Sequence, residues 1–434
     1  MKKKLTFILF LGTLACAGFK CEKKGNDNIV ATDSSFVNTA HLDHLYTPVS
    51  FPGGISAAGV YIYSEAPDYH LVEASGEGFT CVDDVSRAAL VYLRSNKFNS
   101  DTATQNKVYN LVRFILEMQS TNGYFYNFLY SNGLINKFGA TSLDNANWWS
   151  WRALQALSEA GPLIKNKDAQ LYNRISLAIN NLVNKIKTDL VNLPATTHVT
   201  QGITVPEWLP AGSGTDQAAL LIIGLIPYAT ENNDAVIHTY IKKLADGILL
   251  MQKGGLGQYP YACTLSWENT WHAYGSDQAL ALLKAGVFLG EPNYTNQGLA
   301  EVDNFFPWLL LNGYQSSFTI QSNGTGFQMV SQNAYEQIAY GIRPMVSASV
   351  EAYRLTSQEK YADIAGHLAA WFLGANETNN NMYDKTTGIC FDAISSGGNI
   401  NRNSGAESTI EALLTFQQVE NYPAVKTAVY KYKK

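Results

Sequence analysis

The sequence predicts an all-α protein, an (α/α)6 toroid of six helical hairpins with only a few short strands in its loops. Three observations lead there. Stretches that are apolar on nearly every side alternate along the chain with stretches that are apolar on one face only. Each of the six buried stretches opens on an acidic residue, and these acids recur at intervals of 59 to 72 residues. The 434 residues, 46% hydrophobic and 15% charged, can bury a large core, and six hairpins account for them as one domain.

The chain begins MKKKLTFILFLGTLACAGFKC. Three lysines precede an apolar run, Leu5 to Leu14, that is too short to span a bilayer, so residues 1–21 read as an export signal. TLAC resembles a bacterial lipoprotein box, with Ala15 in place before Cys16 as the lipidated residue. A soluble protein with a cleaved signal is the alternative. Residues 22–35 read as a polar tether and 36–434 as the barrel domain. The expected location is therefore the cell envelope, with the membrane reached through the lipid anchor only.

The inner helices are expected in CVDDVSRAALVYLRS, NANWWSWRALQALSEAG, TDQAALLIIGLIPYA, SDQALALLKAGVFLG, YEQIAYGIRPMVSASVEAYRL and AESTIEALLTFQQV. Half-exposed helices fall between them, in NKVYNLVRFILEMQ, NRISLAINNLVNKIKTDL, AVIHTYIKKLADGILLMQ, LAEVDNFFPWLLL and KYADIAGHLAAWFL. Strand patterning is confined to VYIYSE at 60–65 and SFTIQS at 317–322. The missing outer partner of the first hairpin is expected near HLDHLY, residues 41–46.

The six recurring acids are Asp84, Asp144, Asp216, Asp277, Glu336 and Glu407. Inner helices of a toroid run the same way, so these residues are expected to rim one cavity. Taken singly, each acid is explained by helix capping and the helix dipole, worth about 0.5–2 kcal/mol. Capping would be served equally by Ser, Thr or Asn, and it does not require the aromatic residues that accompany the acids. Those lie in NWW at 147–149, EW at 207–208, WENTWHAYGSDQ at 267–278 and AYEQ at 334–337. Trp and Tyr faces for stacking, with carboxylates for hydroxyl groups, suit an oligosaccharide or polysaccharide.

Other classes are excluded by what is missing. Net charge is −5, and no basic stretch lies beyond the N-terminus, so nucleic acid is not an expected partner. Glycine-rich PAGSGTDQ and SNGTGFQ lack phosphate-loop spacing, and no serine stands in a GxSxG context. His41 and His44 have the spacing of two ligands on one helix face but no third ligand is apparent, so neither a metal nor another cofactor is expected. Cys81, Cys263 and Cys390 read as buried apolar residues.

GFTCVDDVSRAALVYL resembles the opening motif of a DDNARAL/GAEST-type helical-barrel domain of bacterial carbohydrate-active proteins. WFLGANETNNNMYDKTTGICFDAI and NSGAESTIEALL resemble its closing motifs. These matches cover roughly residues 76–94 and 371–414, and the middle of the chain follows only the helical pattern. The broader group is the six-hairpin glycosidase superfamily, whose fold is the (α/α)6 barrel. In inverting glycoside hydrolases of that group, such as the family 9 cellulases, an early Asp pair holds the attacking water and a late Glu is the acid. This chain has DD rather than DAGD.

The resemblance and the ring geometry lead to one assignment. Hairpins one and six meet only where the ring closes, which would bring Asp83 or Asp84 beside Glu407. Inversion needs two carboxyl groups about 6.5–9.5 Å apart. The expectation is a glycoside hydrolase with Asp84, helped by Asp83, as base and Glu407 as acid; Asp144 and Glu336 stand in reserve. Trp148, Trp267, Glu268, Trp271, His272, Asp277, Tyr335 and Arg343 are expected to line subsites, and Asp392 to join Glu407 at the rim. Structural pairing with a rim acid is the equal alternative for Arg343. A polysaccharide lyase or sugar epimerase, using His272 with Tyr274 and Tyr335 with Arg343, is the alternative activity. A non-catalytic glycan-binding lipoprotein is the third reading.

Overall fold

The computed structural model describes residues 35–434, which form one compact unit. The export signal, the tether up to residue 34 and Cys16 lie outside the described residues. A short helix, α1 (Ala40–Leu45), precedes six hairpins: α2 (Val82–Leu93) with α3 (Thr102–Glu117), α4 (Trp148–Ile164) with α5 (Ala169–Ile186), and α6 (Thr215–Asn232) with α7 (Ala235–Met251) come first. They are followed by α8 (Gln278–Leu289) with α9 (Pro292–Asn312), α10 (Ala339–Thr356) with α11 (Glu359–Ala369), and α12 (Ala406–Glu420) with α13 (Pro423–Tyr432). The even-numbered helices of the hairpins pack in order from α2 to α12, and α12 packs back on α2. That closure makes the (α/α)6 toroid.

Burial follows the patterning. Most residues of α2, α8 and α12 are buried, whereas α3, α5 and α7 bury one stripe. Three outer helices carry aspartate caps: Asp101, Asp168 and Asp234 each accept from first-turn N–H groups of α3, α5 and α7. Of the six recurring acids only Asp216 accepts such a bond, from Gln217 N at 2.6 Å. The inner-helix acids are therefore available for other partners.

The sixth outer helix corrects one expectation. HLDHLY gives only the six-residue α1, which packs on α12, and the ring is completed by α13 at the C-terminus. Its apolar stripe is Val425, Ala428 and Val429, too sparse in NYPAVKTAVYKYKK to stand out as a helix by periodicity. Strands are also more numerous than expected, although all are short and antiparallel, in sheets of two or three; Ser317–Ser322 forms as patterned. Cys81, Cys263 and Cys390 are buried and free. No described helix is long and apolar enough to cross a membrane.

The connections are asymmetric. Inner helices pass to outer ones through short links such as 165–168, 233–234 and 357–358, whereas the returns at 118–147, 187–214, 252–277, 313–338 and 370–405 are long and carry most of the strand pairs. All the elaborated chain therefore gathers at the N-terminal ends of the inner helices, and that mouth is where a site can be built.

One buried acid lies outside that mouth. Glu301 in α9 is 2% exposed and accepts only from Thr264, at 3.1 Å from N and 2.6 Å from Oγ1. Burial pushes its pKa up to about 7, with the two Thr264 bonds opposing. Between the unfolded value, about 4.3, and 7 the folded state keeps a proton that the unfolded chain releases, so this group's contribution falls as pH rises through that window. Glu301→Gln is expected to match the wild type at pH 5 and to exceed it by about 2–3 kcal/mol at pH 8 in urea unfolding.

Candidate functional site

The floor of the mouth is a chain of buried ion pairs centred on Arg87. Its guanidinium, 2% exposed in α2, has Nη2 2.7 Å from Asp83 Oδ2, 2.7 Å from Asp84 Oδ1 and 3.3 Å from Glu407 Oε2. Nη1 donates to Glu411 Oε1 at 2.8 Å. The other oxygen of Glu411 accepts from Arg343 Nε at 2.6 Å, and Arg343 holds both oxygens of Asp277 at 2.9 and 3.1 Å. Tyr340 stands among three guanidinium groups, those of Arg87, Arg152 and Arg343, at 5.1, 5.2 and 5.9 Å from its ring centroid. Arg152 also donates to the Tyr340 hydroxyl. Five of the six inner helices of the ring (α2, α4, the start of α8, α10 and α12) are thereby joined, since the planar fork of Arg can serve several carboxylates at once.

The acids in this network differ in their freedom. Glu411 is fully buried; desolvation opposes its charge, but Arg343 and Arg87 outweigh it and hold its carboxyl below the usual range. Asp84 is also buried, fixed by Arg87 and by the Cys81 thiol at 3.3 Å, and burial raises its pKa. Glu407 keeps 41% of its side chain exposed, yet its carboxyl sits deep in the barrel mouth, and desolvation pushes its pKa up to about 7 against the pull of Arg87. Asp83 is 23% exposed, between Arg87 and Arg152; its Oδ1 has no hydrogen-bond partner and lies 3.5 Å from Arg152 Nε. A part-exposed acid and a carboxylate whose unbonded oxygen is buried thus share one guanidinium nitrogen.

The turn that carries Glu407 is clamped from two sides. Asp392 Oδ1 accepts from Gly405 N at 2.9 Å and Ser408 Oγ at 2.5 Å, and His41 Nε2 lies 2.8 Å from Ser404 O. Asp392 therefore positions the turn; its bonded oxygen does not reach into the cavity. His44 bonds to the Tyr69 carbonyl, and no group of described His, Cys, Asp and Glu residues has the arrangement to hold a metal ion.

A second pair stands at α6. His272 Nε2 is 3.1 Å from Asp216 Oδ2, and Nδ1 is 2.8 Å from the Tyr274 carbonyl. Both neighbours are acceptors, so the ring donates to both only when it carries two protons. The Tyr274 ring stacks on the imidazole at 3.8 Å and 9°, and Trp148 lies 6.4 Å beyond it. Tyr274 is 45% exposed and Trp267 49% exposed, the latter with its indole N–H on Ala211 O at 3.2 Å. These are the aromatic faces open at the mouth.

Several expected site residues are placed elsewhere. Trp271 is buried against Phe305 and Phe318, with ring centroids 5.0 and 5.1 Å apart. It lies on the strand Thr270–His272, where neighbours alternate sides, so His272 faces the mouth and Trp271 the core. Glu268 is occupied by Ser213 and His198, each at 3.0 Å, and anchors its hairpin. Asp277 is wholly buried under Arg343, so neither lines a subsite from above; both instead border a separate cavity of about 420 Å3 that runs to the opposite end of the barrel. Asp144 belongs to the loop before α4, bonded by Asn122 at 2.9 Å, and Glu336 lies exposed before α10, bonded by Ser395 at 2.9 Å. Neither enters the ion network. Tyr335 has its hydroxyl against Glu377, which raises its pKa.

Arg87, Arg152, Tyr340 and Glu411 complete the site and were not singled out by the motif reading. A signal for three of them exists: each is a charged residue flanked by apolar ones in the interior of a mostly buried inner helix, and such a charge must find a partner.

No family model matches the chain, and no curated protein matches it. Among solved structures it is similar to cellobiose 2-epimerase from Bacillus thermoamylovorans, with a TM-score of 0.58 and 11% identity over 84% of this chain and 92% of that one. A sugar epimerase from a ruminal bacterium gives 0.58 and 10% over the same shares. D-mannose isomerase gives 0.55 and 12%, again over 84% and 92%. At such identities the likeness is one of fold, the six-hairpin (α/α)6 barrel.

Proposed function

We propose that the chain is a carbohydrate-active enzyme of the cell envelope that hydrolyses glycosidic bonds in an oligo- or polysaccharide. The observation that carries this reading is Glu407: a part-exposed side chain at the mouth, with a pKa of about 7, beside the carboxylate of Asp83 on the same guanidinium nitrogen. A general acid works best when its pKa lies near the working pH. Asp83 is the better partner than Asp84, because Asp84 is sealed under Arg87 and Cys81. The oxygens of Asp83 and Glu407 that share Arg87 Nη2 can be no farther apart than 2.7 and 3.3 Å laid end to end. Both a retaining pair, with carboxyl groups about 5–5.5 Å apart, and an inverting pair, at about 6.5–9.5 Å, fit within that bound on the two oxygens. Asp83 is then the nucleophile in the first case and the base in the second, and the anomer first released decides between them.

His272 favours a second reading. Held against Asp216 and stacked on Tyr274, it is a proton-handling group near the same mouth, as sugar epimerisation requires. The structures sharing the fold include sugar epimerases, which supports the substrate class more than the reaction. A lyase is less well supported, since Arg343 is committed to Asp277 and Glu411 and is not free to neutralise a uronate.

A screen of neutral, amino-sugar and uronic oligosaccharides separates these readings. New reducing ends support the hydrolase, and proton NMR of the first anomer released tests retention. An epimeric sugar with no bond cleaved would replace the hydrolase by the epimerase. Binding without either product would leave a glycan-binding protein.

A further inference from the structure

Beside the mouth, between the fourth and fifth hairpins, lies a cavity of about 290 Å3. Its walls are largely apolar, formed by Ala273, Leu309, Ile338, Ile342 and Met345. Tyr274 borders it as well, the same residue whose ring stacks on His272, so one tyrosine separates the cavity from the His272–Asp216 pair.

Two other lining residues are chemically unfinished. Tyr314 Oη and Gln315 Oε1 are both buried without a hydrogen-bond partner. Buried polar atoms are nearly always paired, and two orphans in adjacent residues of one apolar cavity point to a ligand that pairs them. Tyr314 Oη offers a donor, and Gln315 Oε1, as oriented here, offers an acceptor. The occupant must therefore present both an acceptor and a donor on a small apolar body. A carboxylate or phosphate has no donor and would approach the exposed Glu336 at the cavity edge. A lone hydroxyl has no apolar body to fill the space. An acylamino group has all three parts: a carbonyl for Tyr314, an N–H for Gln315 and a methyl for the apolar wall.

We propose that this cavity takes the acetamido substituent of an amino sugar, so that an N-acetylated hexosamine is the unit preferred in the adjoining subsite. This rests on the reading of the mouth as a saccharide site, but the cavity has its own probe. N-methylacetamide carries the same three parts without a sugar, and its binding is read by saturation-transfer NMR.

Chitobiose and its de-N-acetylated counterpart are compared by calorimetry on the full chain, together with Tyr314→Phe and Gln315→Leu. The expected result is about tenfold tighter binding of the acetylated sugar, with the preference lost in both variants and binding of the free-amine sugar unchanged. N-methylacetamide saturation should fall in the same variants, whose unfolding midpoints should stay within a degree or so of the wild type. Equal affinity for the two sugars overturns the acetamido assignment while leaving the saccharide reading in place. Saturation of N-methylacetamide that depends on Tyr314, with no sugar bound, supports the cavity's chemistry and overturns the saccharide reading. Saturation insensitive to both variants overturns the cavity assignment outright.

Discussion

Replacing Glu407 with Gln is expected to lower kcat by about 10²–10⁴-fold on a substrate with a poor leaving group. The amide keeps the size of the side chain and an acceptor for Arg87 Nη2, now 3.3 Å away, so the turn clamped by Asp392 and His41 should hold. What is lost is the proton. An activated aryl glycoside, whose leaving group needs no protonation, should therefore recover most of the rate with the variant. The pH profile gives a second measurement. With its pKa at about 7, Glu407 is the acid form below that value, so wild-type activity should fall as pH rises through 7. The variant should lose that limb. A few-fold loss on every substrate, with the alkaline limb intact, would remove Glu407 from the acid role.

Arg87→Met is expected to destabilise the fold by about 3–5 kcal/mol, the cost of leaving buried carboxylates without their cation. Glu411, fully buried, would retain Arg343, but Asp84 would keep only the Cys81 thiol, and Asp83 and Glu407 would lose the nitrogen they share. The deficit should depend on pH. Burial already holds the pKa values of Asp84 and Glu407 above their ordinary values against the pull of Arg87, and losing Arg87 pushes them higher, so the folded variant binds protons that its unfolded chain releases. Its stability relative to wild type should then recover as pH falls and be lowest above neutrality. Urea unfolding between pH 5 and 8 measures this, and a deficit that is small or constant with pH would mean that the carboxylates find other partners. Arg87→Lys should fall between, because an ammonium lacks the fork that reaches Asp83 and Glu411 from opposite nitrogens.

These two expectations draw on parts of the site that differed in how far they could be read in advance. Asp83, Asp84 and Glu407 were legible as residues, since they stand in motifs at the two ends of the ring, and the ring itself followed from the alternation of buried and half-buried helices. Asp144 and Glu336 matched the same spacing, yet they fall in the loops ahead of α4 and α10, where their partners are Asn122 and Ser395. A repeat interval places a residue only to within a few positions, and along a loop leading into a helix that is enough to leave the mouth. Trp271 is placed at the mouth by its aromatic and acidic neighbours in sequence, but the segment is a hairpin, and strand alternation sends Trp271 into the core.

By itself the sequence determined the hairpin count, the six inner helices, five of the six outer ones and the end of the barrel where long loops gather, because helix burial is a local pattern with a short period. Only the tertiary structure decided which charges meet. Arg87 finds Glu411 across 324 residues and Arg343 finds Asp277 across 66, and nothing in the local spacing of either arginine specifies its partner. A buried ion pair is chosen by which helices the closed ring makes neighbours, and that closure is a property of the whole chain.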